Sequence, residues 1–303
     1  MVEAGYSKCF SLGGGNIMHL VESVSRAMPV VPVIHEVAAG IATEYFNETG
    51  DGQRAFSLIT TGPGLTNIVT ALAGAFMESR ELLVIGGQVK TADLCRGEIR
   101  QRGIQEVEGA RLVEAVTKRS VRLDAPIKRS EFLEIVKTGW QPRKGPVFIE
   151  MPLDVQGRMV APGDYEDAVD ARAEPALPLA SEAQLQEIVA RFKRAKRPVL
   201  MLGGGVSRAT AKRIGVEGYQ GFGVPIMTTW NGADRIGSEH PLYFGRPNTW
   251  GQRYANILAQ QADFVLALGT RLGMQQSGFN WQQFIPLGDI VQVDLDPAEL
   301  AKG

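Results

Sequence analysis

Two cysteines and three histidines in 303 residues leave little material for a disulfide framework or a metal centre. Cys9 and Cys95 read as free thiols in a reducing compartment. His19, His35 and His240 stand in unrelated contexts, and the helical mate four residues after His35 is Ala39 rather than a second histidine. Surplus charge is missing too. Lys and Arg total 32 against 33 Asp and Glu, a net charge of -1, which gives no electrostatic footprint for nucleic acid or an anionic membrane surface. No apolar run approaches the roughly 18 residues of a membrane span, and the N-terminus lacks the apolar stretch of a signal peptide. These absences predict a soluble, cytoplasmic protein with no membrane or nucleic-acid partner. No lysine followed by serine or threonine comes after any glycine cluster, so a Walker loop is absent as well.

Hydrophobic residues are plentiful at 44%, and the length suits two domains. Up to about residue 155, the short apolar runs "KCFSL", "VVPVI", "RAFSLIT", "ELLVIGG" and "GPVFIEMP" alternate with the helical patterns "NIMHLVESVSRA", "AAGIATEYFN" and "LTNIVTALAGAFMES". That alternation predicts a parallel sheet covered on both faces. From residue 156 to 180 the rhythm breaks into an acidic stretch rich in alanine and proline, read as a surface linker. A second unit opens with a capping box, Ser181 to Gln184, and an apolar stripe of Leu185, Ile188, Val189 and Phe192. Strand patterns follow at "PVLMLGGG", "VPIMTT", "DFVLALGT" and "DIVQVDLD". The expected architecture is α/β, with two doubly wound, mostly parallel-sheet domains over 1–157 and 181–303 and a linker over 158–180.

Three glycine clusters lie at strand ends: Gly13 to Gly15, Gly62-Pro63-Gly64 and Gly203 to Gly205. Each permits close approach of backbone amides to a ligand, and each is also compatible with a tight strand-to-helix turn. In "VVPVIHEVAAG", Val30 to Ile34 read as a short buried strand and Ala38, Ala39, Ala42 and Tyr45 as a helix face, which puts Glu36 at the junction between them. Parallel sheets keep their chemistry at such junctions, although an acid at a helix N-terminus is also favoured by the dipole alone. "GDG" at 50–52 follows a helix rather than a strand and reads as a surface turn.

Taken together, "GGGNIMHL", "HEVAAGIATEYFNETG", "ITTGPGLTNIVTALAGAFMES", "LLVIGGQV", "RQRGIQEVEGARLVEAVTKRSV" and "KGPVFIEMPLDVQG" resemble the pyrimidine-binding domain of the thiamine diphosphate-dependent acetolactate synthase family, in order and spacing. "RPVLMLGGGV", "HPLYFGRPNTWGQRYAN", "ADFVLALGTRLG" and "IVQVDLDPAEL" are similar to its middle domain. The resemblance implies that Glu36 hydrogen-bonds N1' of the cofactor's aminopyrimidine, favouring the imino tautomer that takes the thiazolium C2 proton. It implies that Gly62, Pro63, Gly64 and Asn67 line the aminopyrimidine, that Gly13 and Gly14 form the first glycine loop, and that Gln105 faces the reacting centre. It implies thiamine diphosphate as cofactor, a 2-keto acid such as pyruvate as substrate, and decarboxylation followed by acyl transfer to an acceptor.

Synthases proper also bind FAD in the middle domain, where Arg143, Gly204, Arg271 and Asp294 would stand at the contacts; "GTRLGMQQSGFNW" departs from their acidic continuation and looks more like relatives that need not carry flavin. Glu81 stands where many synthases have proline before "LLVI", which predicts a local change in that turn. Family members run much longer, and the strand, GDG and distant asparagine that hold magnesium and the diphosphate do not occur after residue 157. The helix expected before "YSKCFSL" is missing as well, and Met1 lies almost on the first strand. The expectation is therefore a fragment or half of a split enzyme, inactive alone, whose site is completed in a homodimer or tetramer or by a separate diphosphate-binding chain. The competing readings are a non-catalytic nucleotide-binding module and an accessory subunit that completes an active site on another chain. Retention of Glu36, the "GPG" loop and Gln105 counts against the nucleotide module.

Overall fold

In the computed structural model, which describes residues 1–50, 52–97, 99–167, 177 and 179–302, the chain divides into two compact units, Met1–Pro175 and Ala176–Gly303. The first runs β1 (Tyr6–Ser11), α1 (Met18–Ala27), β2 (Val30–Pro32), α2 (Glu36–Thr49), β3 (Arg54–Ile59), α3 (Pro63–Glu78), β4 (Leu82–Gln88), α4 (Gly109–Leu112), β5 (Arg119–Arg122), α5 (Arg129–Lys137), β6 (Pro146–Pro152), α6 (Leu153–Gln156) and α7 (Pro162–Tyr165). Its six strands are parallel throughout, in the order β2-β1-β3-β4-β6-β5.

The two-residue period of a strand explains how both faces fill. Leu83, Ile85, Val147 and Ile149 point into one core with Tyr6, Phe56 and Leu58, against residues of α1 and α5. Leu82, Val84 and Phe148 point into the other, against Ala39 of α2 and Leu65, Ile68, Leu72 and Ala75 of α3. By the same alternation Glu150 faces the α3 side.

Two expectations need correction. Val30 to Ile34 do not form a buried strand: β2 is a half-buried edge strand of three residues, and Ile34 beyond it is 97% exposed. Among the described residues its only sheet neighbour is β1, and Pro32, which has no N–H, suits the unpaired edge. The second edge strand, β5, was not among the predicted strands, because "RSVR" carries too little apolar character to show a period.

The Glu81 side chain ties β1, β3 and the start of β4 together. Glu81 is buried; its carboxylate accepts from Tyr6 Oη at 3.2 Å and from Arg54 Nε, while Arg54 also lies over the Trp140 ring at 4.3 Å. Burial, with the Glu81 charge second, pushes the Tyr6 hydroxyl well above its ordinary range, so it stays a donor at any working pH. Glu81→Ala should cost about 1–3 kcal/mol, because a buried hydroxyl and a guanidinium lose their acceptor together. Urea unfolding checks this; a loss under 0.5 kcal/mol would mean that water replaces the carboxylate.

Past β6, the chain as far as Asp167 stays attached to the first unit. Asp167 accepts from the Ser130 amide at 3.0 Å, and Lys128 donates to the Gly163 carbonyl at 2.9 Å. Residues 168–176 and 178, within the expected linker, lie outside the described residues.

The second unit runs α8 (Glu182–Arg194), β7 (Pro198–Leu202), α9 (Arg208–Gly221), β8 (Ile226–Thr228), α10 (Arg253–Gln261), β9 (Phe264–Leu268), α11 (Met274–Ser277), β10 (Asp289–Val293) and α12 (Pro297–Ala301). Its four strands are parallel in the order β10-β9-β7-β8. The Ser181–Gln184 capping box forms at the start of α8. Val199 and Met201 of β7 pack on one side of the sheet, Leu200 and Leu202 on the other. Both units are thus doubly wound α/β sheets.

Candidate active site in the first unit

In the first sheet the chain leaves β1 for β2 on one side and returns to β3 on the other, so a crevice opens at the C-terminal ends of β1 and β3. Gly14 from the β1 loop sits against Thr60 just beyond β3: a Cβ built on Gly14 would lie 2.4 Å from Thr60 Cβ. The Gly87 position at the end of β4 is equally tight, with Asn16 O 2.0 Å from a built Cβ. Gly13 meets no such constraint.

Glu36 opens α2. The His35 ring Nδ1 accepts from the Val37 amide at 3.2 Å and caps the helix in place of the usual hydroxyl or carboxylate. α2 crosses α3 closely at Gly40, whose missing side chain makes room for Ala71 and Ile68. That crossing brings Glu36, 5% exposed, to Asn67, whose Nδ2 donates to Glu36 Oε2 at 2.9 Å. The other oxygen, Oε1, takes no hydrogen bond from the described residues and lies 3.2 Å from where a Gly64 Cβ would stand.

Gly62 caps α3 with φ 66° and ψ -123°, a conformation that L side chains rarely adopt, and Pro63 takes the first helical position. Gln105 packs directly on this loop: a Cβ on Gly62 would be 2.4 Å from Gln105 O and 2.7 Å from Gln105 Cβ. Gln105 itself has φ 60° and an exposed side chain. Its stretch is tied by Glu106, whose carboxylate accepts from the amides of Arg102 (3.0 Å), Gly103 (2.9 Å) and Cys95. Partial burial would raise the Glu106 pKa, but those amides outweigh it and hold the group below its ordinary value.

The structure therefore brings Gly14, Glu36, Gly62, Pro63, Gly64, Asn67 and the Gln105 backbone to one end of the sheet. It does not bring Arg143 there. Arg143 precedes β6 and donates through Nε to Ser79 Oγ at 2.6 Å, just ahead of β4, at the opposite, N-terminal end of the parallel strands. Sequence reasoning missed Thr60, whose Oγ1 is buried without a hydrogen-bond partner between Gly14 and Gly64. It also missed Thr61, Gln88 and Glu150, a buried polar group behind the loop. Repeated "TT" before "GPG" was the available signal for the threonines. Cys9 is inert here: burial pushes its thiol up to about 12.

In the second unit, Gly204, Arg271 and Asp294 follow the adjacent strands β7, β9 and β10. The Gly203 and Gly205 positions are needed for loop packing, with Gly269 O 2.1 Å from a Cβ built on Gly203. Gly204 is crowded by Asn231 Cβ at 2.8 Å. Asp294 Oδ1 accepts from the Asp296 amide at 3.0 Å, and the Arg271 carbonyl accepts from Lys302 Nζ. Among the described residues no cluster of three or more His, Cys, Asp or Glu could hold a metal, and no helix is long and apolar enough to cross a membrane.

Comparison with known proteins agrees with this two-unit arrangement. Residues 1–110 match the family of thiamine pyrophosphate enzyme N-terminal TPP binding domains, and residues 185–303 match thiamine pyrophosphate enzyme central domains. The chain is 33% identical over 296 residues to the acetolactate synthase isozyme 1 large subunit of Escherichia coli, covering 95% of this chain and 50% of that protein. It is 30% identical to the acetolactate synthase large subunit of Corynebacterium glutamicum, covering 97% of this chain and 46% of that one. A probable acetolactate synthase large subunit of Methanocaldococcus jannaschii is 29% identical, with 88% and 45% covered. The chain belongs to the thiamine pyrophosphate enzymes, and within them to the acetolactate synthase-like family. It spans about half the length of the curated relatives it matches and corresponds to their N-terminal portion.

Proposed function

We propose that this chain supplies the aminopyrimidine side of a thiamine diphosphate site in an enzyme that decarboxylates a 2-keto acid such as pyruvate and transfers the acyl unit to an acceptor. One observation carries the reading: a buried carboxyl with one oxygen held by Asn67 and the other open toward a glycine that leaves space beside it. The buried, unpartnered Thr60 hydroxyl in the same crevice supports a polar ring as occupant, since a ligand heteroatom would satisfy it. A bare nucleotide module needs neither feature.

When bound, thiamine diphosphate supplies the carbanion chemistry of the reaction. The residues of this chain do the positioning. Asn67 fixes the rotamer of Glu36, so that Oε1 can share a proton with a ring nitrogen at short range. Gly64 keeps that space clear, and Gly14 lets the β1 loop close down on Thr60. Gln105, on the stretch packed over Gly62, presents its amide toward the substrate. Magnesium and the diphosphate are assigned to a part of the assembly that these residues do not provide, reached through a dimer, a tetramer or a separate chain. The residues expected at a flavin do not single one out: Arg143 is engaged with Ser79 and one oxygen of Asp294 with its own turn, so FAD has no part in this reading. The two free cysteines suit a cytoplasmic setting.

The 303-residue chain with thiamine diphosphate and magnesium should not turn over pyruvate. Adding a diphosphate-binding domain from a relative should be required, with carbon dioxide release followed by a coupled assay. Turnover by the chain alone would overturn the half-site assignment.

A further inference from the structure

Behind the Gln105 stretch lies a buried polar chain that the proposed chemistry does not use. Gln88, at the end of β4 and fully buried, donates through Nε2 to the Val107 carbonyl at 2.8 Å and to Glu150 Oε1 at 3.0 Å. Its own Oε1 accepts from Thr61 Oγ1 at 3.2 Å and from the Val89 amide at 2.8 Å. Glu150, in β6, is fully buried, and its Oε2 has no hydrogen-bond partner. Gly109 presses directly on this carboxyl: a Cβ there would be 2.1 Å from Glu150 Oε1. The segment from 105 to 109 is therefore pinned from below at Val107 and Gly109 and against the "GPG" loop at Gln105.

We propose that Glu150 and Gln88 are positioning residues for Gln105, holding the 103–109 segment against Gly62, and that the grip depends on whether Glu150 carries its proton. A fully buried carboxyl with one unsatisfied oxygen is a poor home for a charge. The groups facing it are few. Arg122, opposite Glu150 in the β5–β6 register, is shared with Asp124 at 2.8 Å and Glu108 at 3.7 Å. Gln88 and Thr61 are neutral, and α3 contributes Leu65. Burial is the largest influence and raises the Glu150 pKa from 4.5 to about 7; Arg122, Gln88 and the Ala110 backbone amide oppose it, and Glu108 adds to it. The sign follows. The closed segment binds the proton more tightly than an opened, hydrated one, so closure is most stable below about pH 4.5 and weakens as pH rises to about 7, levelling off beyond. Glu106, whose pKa is lowered, acts in the opposite sense and only below this range.

Hydrogen exchange of residues 100–110 in the full 303-residue chain, corrected for intrinsic rates, tests this without any cofactor. Opening should rise by up to roughly tenfold per pH unit between pH 5 and 7 and then flatten. In Glu150→Gln, which keeps the Gln88 contact and cannot ionise, the profile should be flat. Equal profiles in both proteins would overturn the proposal. Should Glu150→Gln not fold, the wild-type profile decides alone, since a flat one is equally fatal; the Glu150 carboxyl carbon, followed by NMR, must titrate around the pH at which the exchange profile flattens. The relevance to chemistry rests on the role given to Gln105, but the exchange measurement does not, so either can fail without the other.

Discussion

Glu36→Gln, made in an assembly that includes the diphosphate-binding part, is expected to slow turnover by about 10²–10⁴-fold, the range for loss of a positioned acid–base group. The substitution keeps volume and leaves an amide oxygen to accept from Asn67, so the α2–α3 crossing at Gly40 is undisturbed. What disappears is the exchangeable proton at the open oxygen. Cofactor affinity should fall only modestly, because the proposed site anchors the diphosphate outside these residues. Exchange of the thiazolium C2 proton, followed by NMR, separates this step from later ones. If that exchange keeps its wild-type rate, Glu36 is an acid favoured at the start of a helix and nothing more.

Gly62→Ala should destabilise the first unit by about 2–4 kcal/mol, combining backbone strain at φ 66° with overpacking. The new methyl would stand 2.4 Å from the Gln105 carbonyl, and that carbonyl cannot retreat freely because Val107 and Gly109 are pinned behind it. Chemical denaturation gives the magnitude. Exchange protection at 103–109 gives the location, and should fall even where the rest of the unit stays intact. A cost below 0.5 kcal/mol with protection preserved would mean that Gly62 and Gln105 do not truly pack together.

Glu36 was legible because its signal is local: a β-branched run, a break and a helical period meet at that residue, and α2 does begin there. The same holds for the "GPG" turn, where glycine and proline each have a backbone reason to be present. β5 was not legible, since an edge strand has only one covered neighbour and little need of apolar residues. Nor was the left-handed backbone of Gln105, which depends on the amides that Glu106 gathers rather than on the residue's own preference. Glu150 sits in "VFIEMP", where alternation assigns it a face, yet its partner Gln88 lies 62 positions earlier. Pairings of that span are fixed by sheet order, and sheet order is a property of the whole unit.

That order also schedules assembly during synthesis. Residues 1–59 carry β1, β2 and β3, and β1 lies between the other two, so the three can pair as soon as they emerge. β4 then joins β3, but its other flank belongs to β6, and β5 appears before the strand it leans on. Between residues 88 and 146 a growing chain therefore displays the bare, wholly apolar margin of Leu82–Gly87 with its partner still unmade. A pause in translation within that interval would present other chains with an open template for strand pairing.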